Sequence, residues 1–298
     1  PYYSGKKKFA IPSSPTENEK RLKVVTSTEG GCFDAVNCYD SCIVSTGLIQ
    51  LCEARYFLTS KLLHHVAVTL SPSIIISALT PALKATNSVF TKNASGNWRF
   101  HTIETDGKFI EVKTLKQQQD LFLGCNGKKG SWTPETKQRA KLWAACFANI
   151  WDSNVACLAQ SRYLANKLTD YVVKDAKNVL WDNMSDEGWV GATRAVYLSF
   201  STNIPARAAK NLSDFLAITT LKKWSPDWCV GLIKQLTFGQ NVAIYPERYN
   251  RIRPWVENLW DVKLPLTHVQ LKAWVEPVQE TQASATKKFT PLDINITS

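Results

Sequence analysis

The sequence predicts an α+β fold that is mainly α-helical and carries one β-hairpin. Apolar residues recur at helical spacing along most of the 298 residues, whereas in one stretch near 97–112 apolar and polar residues alternate on both sides of a turn. Hydrophobic residues make up 44% of the chain and charged residues 20%, which is typical of globular proteins and excludes a largely disordered or collagen-like chain. A chain of this length can bury about 75% of the surface that its unfolded form exposes, so it can form a full core without disulfide staples.

The N-terminal part of the chain predicts an extended arm followed by a helix. The arm covers residues 1–15, and Thr16 opens a helix over 17–29 because Thr16-x-x-Glu19 is a capping box. The pair Gly30-Gly31 ends this helix, since glycine is the usual residue just beyond a helix C-terminus.

The next stretch of the chain predicts more helix and then the hairpin. A loop leads to a helix near 45–55, and residues 56–85 are expected to be helical and buried. From Asn97 to Val112, aromatic and β-branched residues flank Asp106-Gly107, a dipeptide that favours a tight hairpin turn. The role of residues 86–125, which contain this hairpin, stays open.

The C-terminal half predicts helices with aromatic faces. Thr133-Pro134-Glu135 begins the first of them, with proline at the first helical position. The predicted helical stretches are 135–180, as two helices, then 186–203, 205–221 and 226–236. We find no internal repeat, and residues 276–298 are polar and rich in Thr and Ser. We therefore expect one domain over 16–275, with a polar C-terminal tail over 276–298.

Eight cysteines favour buried free thiols over a disulfide framework or a zinc site. The chain is large and their neighbours are hydrophobic, whereas disulfide frameworks are typical of small secreted domains. Zinc sites need paired Cys or Cys/His spacing, and Cys38-x3-Cys42 has no matching second pair. The sequence therefore predicts no metal and no cofactor.

The net charge of 36 − 25 = +11 favours an anionic partner, which leaves open nucleic acid, a membrane surface or an envelope polymer, beside a plain role in solubility. Basic and aromatic residues do not alternate along a recognisable groove-binding element, so no specific nucleic acid is predicted. The most apolar run, Val66 to Leu83, is interrupted by Pro72 and Pro81 and predicts buried core. The sequence contains no transmembrane segment, because no apolar stretch reaches about 18 residues.

One acidic residue has the setting of a catalytic acid. Glu29 stands at the predicted end of the first helix, where the helix dipole disfavours negative charge. In a pocket that excludes water, the pKa of such a carboxyl would rise. A neutral carboxylic acid is what a glycosidase needs to protonate the leaving oxygen. The alternative is a solvated glutamate beside a glycine stop.

Two short segments of the sequence, one of which contains this glutamate, indicate a resemblance to a known family. Glu29-Gly30 is followed, about twenty residues later, by Gly47-Leu48-Ile49-Gln50. The sequence here resembles the lysozyme-like superfamily, in particular goose-type lysozymes and soluble lytic transglycosylases. That family has a catalytic Glu before a small residue and then a Gly-Leu-Met-Gln motif in the sugar cleft, so this chain has Ile in place of Met. The resemblance covers residues 22–52, about a tenth of the chain.

A third motif of the family, Tyr-Asn followed by small residues, has only partial counterparts. Tyr197 to Asn203 is a loose echo of it. Tyr249-Asn250 matches literally, but Arg251 follows where the family has a small residue.

The resemblance implies roles for individual residues. Glu29 would act as general acid and then as base. In a transglycosylase it would take a proton from the 6-hydroxyl of the sugar itself, and in a hydrolase a second carboxylate would steer water. Asp40 is the preferred second carboxylate and Asp34 the other candidate, although each could instead cap a helix. The implied substrate-binding residues are Tyr39, Ser45, Gly47, Gln50 and Asn203. Ser45 and Gln50 could instead support the packing of the Glu29 loop.

The function implied by the resemblance is cleavage of peptidoglycan glycan strands, by a lysozyme or a lytic transglycosylase. Since the chain begins at Pro1 without an initiator Met, we expect a processed, virion-associated lysin of a bacteriophage, acting in the bacterial periplasm or cell wall beside other virion proteins. The alternative is a lysozyme-like structural or binding component of a phage particle without catalysis.

Overall fold

The computed structural model describes residues 2–38, 42–54, 57–124, 133–202, 204–238 and 244–282. Within these residues the predicted class is confirmed, since the chain is mainly helical with small antiparallel sheets. It divides into two compact units, the first formed by Pro1–Ala10 with Glu29–Ala165 and the second by Ile11–Thr28 with Asn166–Ser298. The predicted single domain over 16–275 stays a prediction. In the described part of the chain, no helix combines the length and the apolar character that a membrane crossing requires.

The first unit contains both sheets. The strands of its four-stranded sheet, in spatial order, are β1 (Tyr2–Tyr3), β2 (Val36–Asn37), β3 (Ser45–Thr46) and β4 (Leu51–Cys52). The strands of its three-stranded sheet are β5 (Ser88–Lys92), β6 (Trp98–Ile103) and β7 (Phe109–Glu111). Its helices are α2 (Leu58–Thr69), α3 (Pro72–Ala85), α4 (Leu115–Leu123), α5 (Pro134–Ile150) and α6 (Asn154–Lys167). The last two residues of α6 belong to the second unit.

The second unit is helical in its described residues. Its helices are α1 (Glu17–Thr26), a 3-10 helix (Leu168–Tyr171), α7 (Lys174–Leu180), α8 (Gly188–Ser201), α9 (Pro205–Ile218), α10 (Pro226–Thr237), α11 (Tyr245–Trp260) and α12 (His268–Gln282). Helix α8 is its centre, because nearly every position of α8 is buried against α1, α9, α10 and α11. Helix α12 runs past residue 276, where the polar tail was predicted to begin.

An aromatic cluster forms the core beside the three-stranded sheet. Phe100 on β6 packs edge-to-face against Trp143 of α5, with ring centroids 5.6 Å apart, and against Phe122 of α4 at 5.3 Å. Phe90 on β5 lies directly opposite Phe100 and faces the same core. This packing fixes which face of the sheet is buried, since side chains alternate along a strand.

Several local predictions are confirmed. Thr16 and Glu19 form the reciprocal bonds of a capping box at the start of α1. The hairpin near 97–112 is formed by β6 and β7, and β5 adds a third strand that the sequence analysis did not include. Proline stands at the first turn of α5 at Pro134, as predicted.

The predicted helix near 45–55 is wrong. This segment forms the two short strands β3 and β4, joined by a turn over 47–50. Gly47 has a φ of +85° and Gln50 a φ of +52°, both in the left-handed region that a right-handed helix does not contain.

One helix boundary also differs from the prediction. Helix α1 ends at Thr26 because the hydroxyls of Ser27 and Thr28 donate back to the carbonyls of Val24 and Val25. The stretch predicted to be helical over 56–85 contains the helices α2 and α3, which are separate because Ser71 caps α3 and Pro72 begins it.

The expectation of free thiols is wrong for two cysteines. Cys42 and Cys52 form a disulfide that brackets β3 and its turn. Their Cα atoms lie 4.9 Å apart because β4 returns antiparallel beside β3. The cysteines at 32, 38, 146, 157 and 229 are buried, and Cys125 lies outside the described residues.

Candidate functional site

Glu29 follows the last residue of α1 by three positions and is half-buried. The next residue, Gly30, has a φ of +101°, and an added Cβ there would meet nothing within 4 Å. Glycine is therefore required at this position for its backbone conformation and not for space. The glutamate is thus presented at a sharp turn beyond the end of α1, whereas the prediction placed it in the last turn of that helix.

The end of α1 is held within the second unit by a buried arginine. The guanidinium of Arg248 on α11 donates to the Thr28 hydroxyl at 2.8 Å and to the Ser199 carbonyl of α8 at 2.8 Å. Only 7% of Arg248 is exposed. Sequence reasoning missed this residue, although it directly precedes the Tyr249-Asn250 dipeptide that echoes the third family motif.

The tyrosines of the third motif are core residues. Tyr197 and Tyr249 are fully buried, and burial raises the pKa of both phenols. The Tyr249 hydroxyl donates to the Leu266 carbonyl, whereas the Tyr197 hydroxyl has no hydrogen-bond partner among the described residues. Asn250 is exposed, and Asn203 lies outside the described residues.

The predicted substrate-binding residues at 45, 47 and 50 meet in the turn between β3 and β4. The Ser45 hydroxyl donates to Gln50 Oε1 at 3.3 Å, and Gln50 Nε2 donates to the Gly47 carbonyl at 3.2 Å. The Gln50 backbone amide donates to the same carbonyl at 3.1 Å. Ser45 and Gly47 are buried and Gln50 is half-buried, so the glutamine is the member of this turn that can reach a ligand. Tyr39 lies outside the described residues.

A glutamine on α6, Gln160, holds this turn in place by hydrogen bonds. Gln160 is fully buried, and its Oε1 accepts from the Leu48 amide at 2.8 Å while its Nε2 donates to the Phe33 carbonyl at 3.4 Å. A Cβ on Gly47 would lie 2.7 Å from Gln160 Oε1, so glycine is needed there both for φ and for space. Nothing in the sequence pattern singles out Gln160, which stands among other polar residues of a helix.

Asp34, one candidate for the second carboxylate, accepts hydrogen bonds from the N-terminal arm. It is buried and accepts from the backbone amides of Lys6 and Lys7, each at 2.9 Å, and from the Tyr3 hydroxyl at 3.2 Å. Burial would raise the pKa of Asp34, but these hydrogen bonds hold it below its ordinary value. The Asp34 carboxylate therefore holds the arm in place. Asp40, the preferred candidate, lies outside the described residues.

A second buried carboxyl, Glu53, was missed by the sequence analysis. Glu53 directly follows β4 and is 2% exposed, and it accepts from the Ser60 amide at 2.8 Å and from the Ser60 hydroxyl. Burial raises the pKa of Glu53 to about 7. Because Ser60 lies in the first turn of α2, this carboxyl serves as the cap of that helix.

The first unit therefore contains the half-buried carboxyl of Glu29 and a hydrogen-bonded turn that presents Gln50. A single carboxyl can donate a proton to a leaving oxygen and then accept one back. Among the described residues, no three His, Cys, Asp or Glu side chains come together as metal ligands. Comparisons with protein-family models, with curated proteins and with solved structures find no match to this chain.

Proposed function

We propose that this protein cleaves the glycan strands of bacterial peptidoglycan, with Glu29 as the general acid and base. The observation that carries the proposal is that Glu29, at a glycine turn, and the Gly47–Gln50 turn belong to one compact unit. Their order and spacing are those of the goose-type lysozymes and lytic transglycosylases that the sequence resembles.

In the proposed reaction, the Glu29 carboxyl protonates the glycosidic oxygen while the bond from the anomeric carbon to that oxygen breaks. The resulting carboxylate then takes a proton from the group that attacks the anomeric carbon. That group is the 6-hydroxyl of the same sugar in a transglycosylase, which leaves an anhydro end, and water in a hydrolase, which leaves a reducing end. The first route needs no second carboxylate, whereas the second route assigns Asp40 to steer the water.

The charge of the chain suits this substrate. A net charge of +11 concentrates the protein on anionic wall polymers by long-range attraction, an effect that salt screens. The Gln50 side chain is held by hydrogen bonds to the Ser45 hydroxyl and the Gly47 carbonyl, and the Cys42–Cys52 disulfide closes the segment that contains the turn. Gln50 therefore has a fixed position for an amide contact to the sugar.

The experiment compares clearing of a suspension of purified cell walls by the wild type and by Glu29→Gln. The variant keeps the size of the side chain and cannot donate an acidic proton. We expect at least a hundredfold loss of clearing rate, since general acid catalysis contributes about 10² to 10⁴-fold. Circular dichroism and thermal unfolding check that the variant is folded. Wild-type protein that leaves walls intact, or a variant as active as wild type, would contradict the proposal.

A second candidate function is wall binding without catalysis. The observation that favours it is that Ser45 and Gln50 bond to each other and to the Gly47 carbonyl, an arrangement that supports the turn itself. A protein of this kind would sediment with purified walls in proportion to added wall material and would release no soluble fragments from them.

A further inference from the structure

The outer face of the three-stranded sheet carries a groove with its own set of ligand-binding groups. Phe100 faces the aromatic core, so alternation along the strands places His101, Glu111 and Phe109 on the opposite face. His101 and Glu111 lie directly across from each other on β6 and β7. A groove of about 610 Å³ lies over this face, bordered by the β5–β6 turn and by the first turn of α4. Ligand-binding sites have volumes of about 300 to 1,000 Å³.

An exposed aromatic ring stands at the edge of this groove. Phe109 is 55% exposed, whereas Phe90 and Phe100 on the neighbouring strands are at most 3% exposed. A flat aromatic ring offers apolar contact area at a low cost in side-chain entropy, because only two torsions become fixed. The apolar C–H face of a sugar ring is a partner of matching shape and size.

A carboxylate is fixed beside the ring as a hydrogen-bond acceptor. Asn93 Nδ2 donates to Glu111 Oε1 at 3.0 Å, and the Lys113 ammonium lies 3.3 Å from Glu111 Oε2. Burial would raise the pKa of Glu111, but these two partners hold it below its ordinary value. The Asn93 amide is itself oriented, because its oxygen accepts from the amides of Ser95 and Asn97. An ionised carboxylate in this position accepts hydrogen bonds from hydroxyls, and the ammonium of Lys113 balances its charge.

An amide donor, Gln117, lines the groove from the first turn of α4. Gln117 Oε1 accepts from the backbone amides of Lys113 and Thr114, each at 2.9 Å, and these bonds fix the side chain. Its Nε2 group has no hydrogen-bond partner in the described part of the chain, so both of its protons are free for a ligand. The groove therefore offers a fixed acceptor, a fixed donor and an apolar ring.

We infer that this groove is a binding site for a saccharide, separate from Glu29. Hydroxyl-rich rings with one apolar face match a carboxylate whose charge Lys113 balances, an amide and an exposed phenyl ring. The identification of the natural saccharide as the amino-sugar strand of peptidoglycan rests on the proposed function. Binding of an amino-sugar oligomer does not depend on catalysis.

The test measures binding of an N-acetylglucosamine tetramer by titration calorimetry to full-length Glu29→Gln, so that no probe is cleaved. We expect Phe109→Ala in this background to weaken binding about tenfold, as for loss of one stacked ring. Glu111→Gln is expected to weaken binding severalfold, because a neutral amide is a poorer acceptor than an ionised carboxylate. The matched control is Val68→Ala on α2, which removes an equally exposed apolar side chain (64% exposed) outside the groove and should leave binding unchanged.

Three outcomes would overturn the inference. They are no measurable binding of the tetramer, equal binding by Phe109→Ala and its parent, and a Phe109-dependent affinity for a wall stem peptide in place of the sugar. Because Phe109 is exposed, its replacement is not expected to unfold the protein, and thermal unfolding checks this. Failure of the proposed function is detected by a different assay. In that case the cell walls stay intact in the clearing assay, regardless of what the groove binds.

Discussion

Replacement of the buried Glu53 by glutamine should make the protein more stable above neutral pH. Burial raises the pKa of Glu53 from 4.5 to about 7 in the folded state. The folded protein therefore binds this proton more tightly than the unfolded chain does. The stabilisation from the neutral carboxyl is fully present below pH 4.5 and is lost as the pH rises through about 7. The difference corresponds to about 3 kcal/mol, at about 1.4 kcal/mol for each tenfold change in proton affinity.

Glutamine at position 53 stays neutral at every pH. Its amide oxygen can accept from the Ser60 amide, and its nitrogen can donate to the Ser60 hydroxyl, so the cap of α2 is kept. We expect Glu53→Gln to match wild type within about 1 kcal/mol at pH 4 and to exceed it by about 3 kcal/mol at pH 8. Urea unfolding followed by tryptophan fluorescence at several pH values measures this difference.

The control for the loss of one negative charge is Glu104→Gln, which changes an exposed carboxylate in the β6–β7 connection. A difference between Glu53→Gln and wild type that is the same at pH 4 and pH 8 would refute the reasoning. So would a variant that is less stable than wild type at pH 8.

Two further replacements test the turn between β3 and β4. Cys52→Ser removes the disulfide to Cys42 and opens the loop that it closes. Under oxidising conditions we expect this change to lower the free energy of unfolding by about 3 kcal/mol. Under reducing conditions we expect wild type and variant to be equally stable. Urea unfolding with and without a reductant measures both, and equal stability under oxidising conditions would argue against the disulfide. Gly47→Ala should cost about 2 kcal/mol or more, because φ is positive and the added methyl meets Gln160. Gly96→Ala, with a φ of +76° and open space around it, is the matched control and should cost less in thermal unfolding; an equal cost would show that crowding contributes nothing.

Elements with short-range signals were predictable from the sequence. The capping box at Thr16 and the Asp106-Gly107 turn act within a few residues, so the local sequence contains the whole signal. The helix predicted near 45–55 failed because strands of two residues are held by partners distant in sequence. There β3 pairs with β2, and the Thr46 hydroxyl donates to the Ala35 carbonyl at 3.2 Å.

The environment of the candidate site was not predictable from the sequence. Glu29 and the Gly47–Gln50 turn, which the motif names, lie in one compact unit, and their roles in catalysis and binding stay predictions. The disulfide, the buried Gln160 and the capping role of Glu53 depend on which residues meet in three dimensions, and residue type alone does not contain that information. Asp34 could not be separated from Asp40 because the arm that binds Asp34 lies far from it in sequence.

The most direct test of the central claim is mass spectrometry of the soluble fragments released from purified peptidoglycan. Wild-type protein is expected to release disaccharide-peptides with either anhydro or reducing sugar ends, and Glu29→Gln is expected to release neither. Fragments with intact glycan strands and cut peptide bonds, or the same sugar-ended fragments from the variant, would contradict cleavage of the glycan by Glu29.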